Sequence, residues 1–338
     1  MKPFVIPVFI SHQGCPHRCI FCDQHIITGQ AEAADQPVTP EAVKKTIQHW
    51  LCLPRKAKKQ RVQVAFYGGS FTGLPPQKQR DLLESVQPFI ARGEVDIIRI
   101  STRPDYIDGA AITLLKEFSV TIVELGIQSL NQDVLTASFR GHSVQQSENA
   151  VIKLKENGFK VGAQLMCGLP GDSSSKLLAT AEKTAKLGPD FVRIYPVLVI
   201  QGSGLEKLYR EGKYKPLSLA RAIVLSAEIK NIFDEHGIRV VRMGLQPSAE
   251  LAEKVVAGPY HPAFGELVLA RTIFKKTRRI LHDKQHLPKK YLHLAAVDES
   301  AFRGPQNAGI KRLTALGLME NVELVFDSKR PRNTVAVC

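Results

Sequence analysis

Six short apolar, β-branched runs separated by amphipathic stretches of helical period restrict this 338-residue chain more than any other feature. The runs are Phe4–Ile10, Val62–Tyr67, Asp96–Ser101, Thr121–Gly126, Lys160–Met166 and Phe191–Val197. Several are nearly continuous in apolar residues, the pattern of strands covered on both faces. The stretches between them have readable ends. Thr39-Pro40-Glu41 reads as an N-cap with proline at the first helical position, followed by Val43, Ile47, Trp50 and Leu51 on one face. Leu82, Leu83, Val86, Phe89 and Ile90 mark a second helix; Asp108 caps a third and Ser143 a fourth. The fourth stops at Gly158, and a fifth, through Leu177 and Ala181, stops at Gly188. Strand then helix, six times over, predicts a parallel α/β fold: a barrel, open or closed, or a doubly wound sheet.

The pattern loosens after the sixth strand. Ser218–His236 reads as a long helix and Ile238–Arg242 as a further strand. Phe264–Arg279 and Gln306–Gly317 are weaker helical stretches, and Val322–Phe326 is a strand candidate. Residues 1–245 are therefore expected to form the core domain and 246–338 a small basic α+β extension. The net charge is +14, and from Arg271 onward 14 Lys and Arg face 6 Asp and Glu. Basic clusters stand at Arg55-Lys56-Ala57-Lys58-Lys59, Lys275-Lys276-Thr277-Arg278-Arg279, Lys289-Lys290 and Lys329-Arg330. Such clusters suit phosphates, and so RNA, as well as a plainly solvated surface. No apolar run reaches 18 residues, so no membrane span is expected. The seven-residue apolar start reads as a first strand rather than a signal peptide. Six cysteines in 338 residues make no secreted disulfide framework, and a cytoplasmic location is expected.

Three of those cysteines share one short loop directly after the first strand, Cys15-Pro-His-Arg-Cys19-Ile-Phe-Cys22. Three thiolates at this spacing can face one cubic iron–sulfur cluster and leave its fourth iron without a protein ligand. Zinc is the alternative, with His12, His17 or His25 completing a four-ligand set. Other unusual segments fall at the same ends of later strands. Gly68-Gly69-Ser70 follows the second, Thr102-Arg103-Pro104-Asp105 the third, Gln128 the fourth and Cys167-Gly168-Leu169-Pro170-Gly171 the fifth. In a barrel, chemistry gathers at those C-terminal ends. Glycines without Cβ allow close approach of the backbone to a ligand. Cys167 reads more readily as a small buried hydrophobe than as a reactive thiol. Arg193 and Tyr195 fit a substrate space or ordinary packing equally. No Ser/His/Asp arrangement, P-loop or pair of catalytic carboxylates is present, so no catalytic side chain is assigned.

The loop Cys-x3-Cys-x-aromatic-Cys, with Phe21 in the aromatic place, resembles that of the radical S-adenosylmethionine (SAM) superfamily. The later segments, among them Ser101–Tyr106, Glu124–Leu130, Arg140-Gly141-His142, Gly168–Gly171 and Tyr195–Leu205, are similar to those of the radical domain of the Elongator catalytic subunit, which modifies wobble uridines in tRNA. The likeness covers roughly residues 1 to 245. It implies a partial (β/α)6 TIM-like barrel, with Cys15, Cys19 and Cys22 holding a [4Fe-4S] cluster whose open iron chelates SAM. It further implies Phe21, Gly68, Gly69, Gln128, Arg140 and Gln164 as SAM contacts, the amides reaching ribose or methionine and Arg140 the carboxylate. The implied reaction cleaves SAM to a 5′-deoxyadenosyl radical that acts on an RNA, with tRNA as the expected substrate and flavodoxin or ferredoxin as electron donor. Two departures stand out. Ser101 takes a place where the family often has Glu, and fewer than 100 residues follow Leu245, without a Gly-rich pyrophosphate loop of the acetyltransferase kind. The competing readings are a tetrapyrrole enzyme like the oxygen-independent coproporphyrinogen oxidases, which share the cluster loop, and a zinc-stabilised RNA-binding module without catalysis.

Overall fold

The computed structural model describes residues 3–16, 18–28, 37–54 and 60–338. His17 and the basic cluster Arg55–Lys59 lie outside the described residues. In chain order the strands are β1 (Phe4–Phe9), β2 (Val62–Tyr67), β3 (Ile97–Thr102), β4 (Val120–Gln128), β5 (Lys160–Cys167), β6 (Phe191–Pro196), β7 (Val199–Ile200), β8 (Arg239–Met243), β9 (Val255–Ala257), β10 (Lys290–Ala295), β11 (Val322–Asp327) and β12 (Val335–Val337). One sheet carries β1-β2-β3-β4-β5-β6-β8 in that order, every neighbouring pair parallel. Its two edge strands are not paired with each other. Yet Val5, Pro7 and Phe9 of β1 and Arg242 of β8 line the same cavity, so the sheet curls into an open half-barrel. The six expected strands and the further one all stand within a few residues of their predicted positions.

Successive side chains on each strand point to opposite faces. Ile6, Val8 and Ile10, then Val64 and Phe66, Ile98 and Ile100, Val123 and Leu125, Val161 and Leu165, and Val192 and Ile194 form the outer core with the covering helices. Those helices supply Val43 and Ile47, Leu82 and Leu83, Leu115, Leu154, Leu177 and Phe233. The caps at Thr39, Asp108 and Ser143 agree with the sequence, each accepting a backbone N–H three residues on, and Ser218 caps its helix in the same way. One expected helix is two, Pro76–Glu84 and Gln87–Ala91. The break falls just before Pro88, which has no N–H to donate to the turn behind it. Cys167 is fully buried in this core beside Ser226, and burial pushes its thiol up to about 12.

Helix Phe264–Asp283 runs from Phe264 and Val268, packed beside the helix Leu219–Glu235, into a second core with Ile273, Phe274 and Leu281. There it meets β10, which pairs parallel with β11 and antiparallel with β12. Among the described residues no helix is long and apolar enough to cross a membrane.

The ends of β1 and β2 are locked together above the open end of the half-barrel. Ile10 N–H donates to Tyr67 O at 2.7 Å and Ser70 N–H to Gln13 O at 2.9 Å. A Cβ on Gly69 would lie 2.4 Å from the carbonyl oxygens of both Gln13 and Ile10, and one on Gly14 would lie 2.1 Å from Ser70 O. Gly69 is thus required by the base of the cysteine loop itself, a packing reason beside the ligand-approach reason suggested by sequence. The Gly69→Ala variant is expected to lose about 1–3 kcal/mol of stability, because the colliding atoms are backbone and cannot swing aside. Chemical denaturation reads this directly, and an unchanged midpoint would contradict the contact.

Candidate active site

A cavity of about 720 Å³ fills the open half-barrel beneath the cysteine loop. All nine residues expected at the site line it: Cys15, Cys19, Cys22, Phe21, Gly68, Gly69, Gln128, Arg140 and Gln164. Parallel strands in sequential order account for this, since every strand delivers its C-terminal end to the same rim.

The loop itself is tied down on several sides. Cys22 N–H donates to Cys19 O at 3.0 Å and Ile20 N–H to Ser138 O at 3.3 Å. Phe21 and Cys19 are buried among Leu169, Val197 and Leu205. Burial raises the Cys15 thiol above its ordinary value, with Arg140 and Arg103 pulling the other way. Cys22 is raised by burial and then by the nearness of Cys19 and Cys15. Cys15 and Cys22, each raised by burial and by neighbouring thiols, form with Cys19 a three-sulfur donor set of the kind an iron–sulfur cluster takes. Among the described residues no three His, Cys, Asp or Glu side chains converge on one point as ligands of a single ion do. His12 uses its Nε2 to accept the Gln24 N–H at 2.9 Å, and burial lowers its pKa to about 4.

Two guanidinium groups flank the loop. Arg140 donates from Nη1 to Cys19 Sγ at 3.4 Å and from Nη2 to Gly126 O at 2.7 Å. Arg103 grips Asp105 through Nε at 3.0 Å and Nη2 at 2.8 Å, leaving Nη1 buried without a partner. Sequence reasoning noticed the Thr102–Asp105 segment but assigned Arg103 no role. Gln128 adopts φ +68°, a left-handed conformation costly for a side chain of its kind, and its buried Oε1 has no acceptor role filled. Ser101 Oγ and Arg140 Nε are likewise buried and unpartnered. Orphaned polar atoms gathered on one wall fit a polar ligand such as SAM.

Deeper in the cavity lies a network that sequence reasoning missed. Glu124, fully buried, receives Arg99 Nε on one oxygen and Arg193 Nε at 2.6 Å on the other. Gln164 Nε2 approaches the second oxygen at 3.5 Å. Arg193 also reaches the hydroxyls of Tyr67 at 3.4 Å and Tyr195 at 3.5 Å. Burial, then the Glu124 charge, pushes Tyr67 up to about 12, so it stays a phenol. Isolated charges within strands carry no sequence signal of which partner they will meet; only the strand register brings these together.

Comparison with known proteins places this site. The chain matches the Radical SAM superfamily over residues 9–184 and the Radical_SAM C-terminal domain over residues 189–274. It belongs to the radical SAM superfamily, enzymes whose cofactors are a [4Fe-4S] cluster and SAM. Within that class it is similar to an uncharacterized protein of Methanocaldococcus jannaschii, 31% identical over 64% of this chain and 67% of the relative. It is also similar to the tRNA uridine(34) acetyltransferase of Methanocaldococcus infernus, 28% identical over 78% of this chain but 55% of the relative. The chain therefore spans about half the length of that enzyme. The solved structure of the archaeal Methanocaldococcus infernus Elp3, with N-terminal residues 1–46 deleted, shares the fold at a TM-score of 0.62 and 23% identity, covering 86% of this chain and 70% of that one. The Elongator-like resemblance read from the strand-end segments is thus matched, and membership in an enzyme class removes the non-catalytic reading.

Beneath Arg140, His142 is buried, and burial followed by the Arg140 charge holds its pKa at about 3. Its unfolded value is about 6.5. Between these values the unfolded chain binds a proton that the folded chain refuses, so stability falls as pH is lowered through that window. From pH 7.5 to 5 the loss from this residue should be about 2 kcal/mol. The His142→Gln variant should lose correspondingly less over the same span. Equal pH slopes in denaturant titrations of the two proteins would contradict this.

Proposed function

We propose that Cys15, Cys19 and Cys22 hold a [4Fe-4S] cluster and that this chain uses it to cleave SAM reductively in the modification of an RNA, with tRNA as the substrate. The observation that carries the reading is the gathering of three cysteines, two guanidinium groups and unpartnered polar atoms on one cavity wall. When bound, the cluster and SAM together supply a 5′-deoxyadenosyl radical, so the protein need not provide an acid or base to begin. Its own residues bind, orient and exclude water. Arg140, hydrogen-bonded to Cys19 Sγ, offsets thiolate charge and can turn its free Nε toward the SAM carboxylate. Gln128 and Gln164 offer amides to the ribose and methionine, Gly68 and Gly69 a bare backbone to the ammonium, and Phe21 an apolar wall. Support for tRNA comes from the relative named as a tRNA uridine(34) acetyltransferase and from the basic residues 246–338, proposed as the RNA-facing unit.

A donor such as flavodoxin or ferredoxin would deliver the electron. Outside the cysteine loop a second concavity of about 580 Å³ is lined by Arg18, Lys207 and Lys213 together with Asp23 and Glu211, a small positive margin toward an acidic carrier. The Lys207→Glu variant should be reduced more slowly by flavodoxin in stopped flow yet normally by dithionite; equal slowing with both reductants would contradict that docking face.

Anaerobic reconstitution with iron, sulfide and reductant should yield 5′-deoxyadenosine from SAM, and Cys19→Ala should abolish it. A protein with a full cluster complement and no 5′-deoxyadenosine would overturn the reading.

A further inference from the structure

Among the described residues the cavity is lined by five arginines, Arg18, Arg103, Arg140, Arg193 and Arg242, and by no aspartate or glutamate. Three of them stand at the cysteine end, where thiolates and Asp105 provide negative charge. The other two stand away from it, on adjacent strands. Arg193 of β6 and Arg242 of β8 are direct partners in the parallel ladder, and Gln164 of β5 is the partner of Arg193 on its other side. Like charges facing each other across a ladder repel.

The backbone makes this pairing through an irregularity. Val192 pairs with Val240, but Arg193 pairs with Arg242, so Val241 is an extra residue in β8. Without it, Arg242 would pair with Ile194, whose side chain is buried in the outer core under the helices. The bulge turns Arg242 from that apolar side into the cavity, the use to which bulges beside ligand sites are commonly put. Val241 itself is left exposed.

Negative charge nearby is insufficient. Glu124 is already shared by Arg99 and Arg193. Among the described residues Arg242 has only neutral acceptors, Gly244 O at 3.1 Å and Gln246 Oε1 at 2.6 Å. Three guanidinium groups thus meet one carboxylate around the inner cavity, and half-buried Arg242 is the one left to pair with an entering anion. Tyr67 and Tyr195 flank the row with hydroxyls.

We propose that Arg193 and Arg242 form an oxyanion subsite that holds the substrate by a carboxylate or phosphate group, at the end of the cavity away from the cysteines. This assignment rests on the reading of the cavity as the active site and adds to it the charge class of what enters. The substrate's anionic end would lie against the β6–β8 pair, leaving its reacting carbon directed toward the cysteine loop.

The test uses the full chain and two probes, inorganic phosphate and succinate, each titrated against chloride at constant ionic strength. Trp50, the single tryptophan, lines the cavity and reports by fluorescence, with the melting temperature as a second readout. Saturable binding of at least one probe is expected. Arg242→Gln should weaken it about tenfold, the worth of a charge-assisted hydrogen bond. Arg242→Lys should restore part of the affinity, and Arg279→Gln, on the exposed surface, should change nothing. Preference for phosphate or for succinate identifies the group. Absence of saturation with both probes, or equal weakening by Arg242→Gln and Arg279→Gln, would overturn the subsite. Neither outcome depends on SAM cleavage, so the subsite and the cofactor reading fail separately.

Discussion

The buried carboxylate of Glu124 is the constraint around which the half-barrel is organised. With no exposure to water, it is tolerable because Arg99 from β3 pairs with it as an ion and Arg193 from β6 donates charge-assisted hydrogen bonds to it. Removing one partner from such a set typically costs about 3–5 kcal/mol, since the remaining charge stays buried and unmatched. The network thereby fixes three strands in register and gives the cavity its positive interior. A curled open sheet has no closing ladder between β1 and β8, and this interior ion cluster supplies cross-barrel order that hydrogen bonding between the edge strands does not.

The upper end of the cavity is held by different means. Gly14 and Gly69 let two backbone turns touch where any Cβ would collide, so the cysteine loop sits directly on the end of β2. Ser70, Thr72 and Thr102 then share hydroxyl hydrogen bonds of 2.6–3.0 Å that join that turn to the end of β3. The cysteines are therefore positioned by their neighbours, with Arg140 and Arg103 reaching in from later strand ends. A site that must hold a charged cluster close to a charged cofactor needs such fixed dipoles and cations in place beforehand.

The strands of the main sheet were legible because both their faces are covered, which writes continuous apolar runs into the sequence. Helix caps at Thr39, Asp108 and Ser143 were legible for local reasons. β10 was not read, since Lys290, His293 and the preceding Lys289 give a short, charged segment whose partners lie more than thirty residues on; β7, β9 and β12 are too short to carry a period. In the site, the cysteine loop announced itself through its spacing, and Gln128, Arg140 and Gln164 through family likeness. Arg99, Glu124 and Arg242 did not, because a charge in a strand gains meaning only from the residue across the ladder. The bulge at Val241, which decides where Arg242 points, leaves no trace in residue pattern.

The central claim is that the wall carrying Cys15, Cys19 and Cys22 holds a cluster with one iron open toward the cavity, where SAM binds. Electron paramagnetic resonance of the anaerobically reconstituted, reduced protein tests it most directly. The account predicts a [4Fe-4S]1+ signal that changes on addition of SAM. A signal indifferent to SAM, or a protein that takes up a single zinc in place of iron and sulfide, would contradict it.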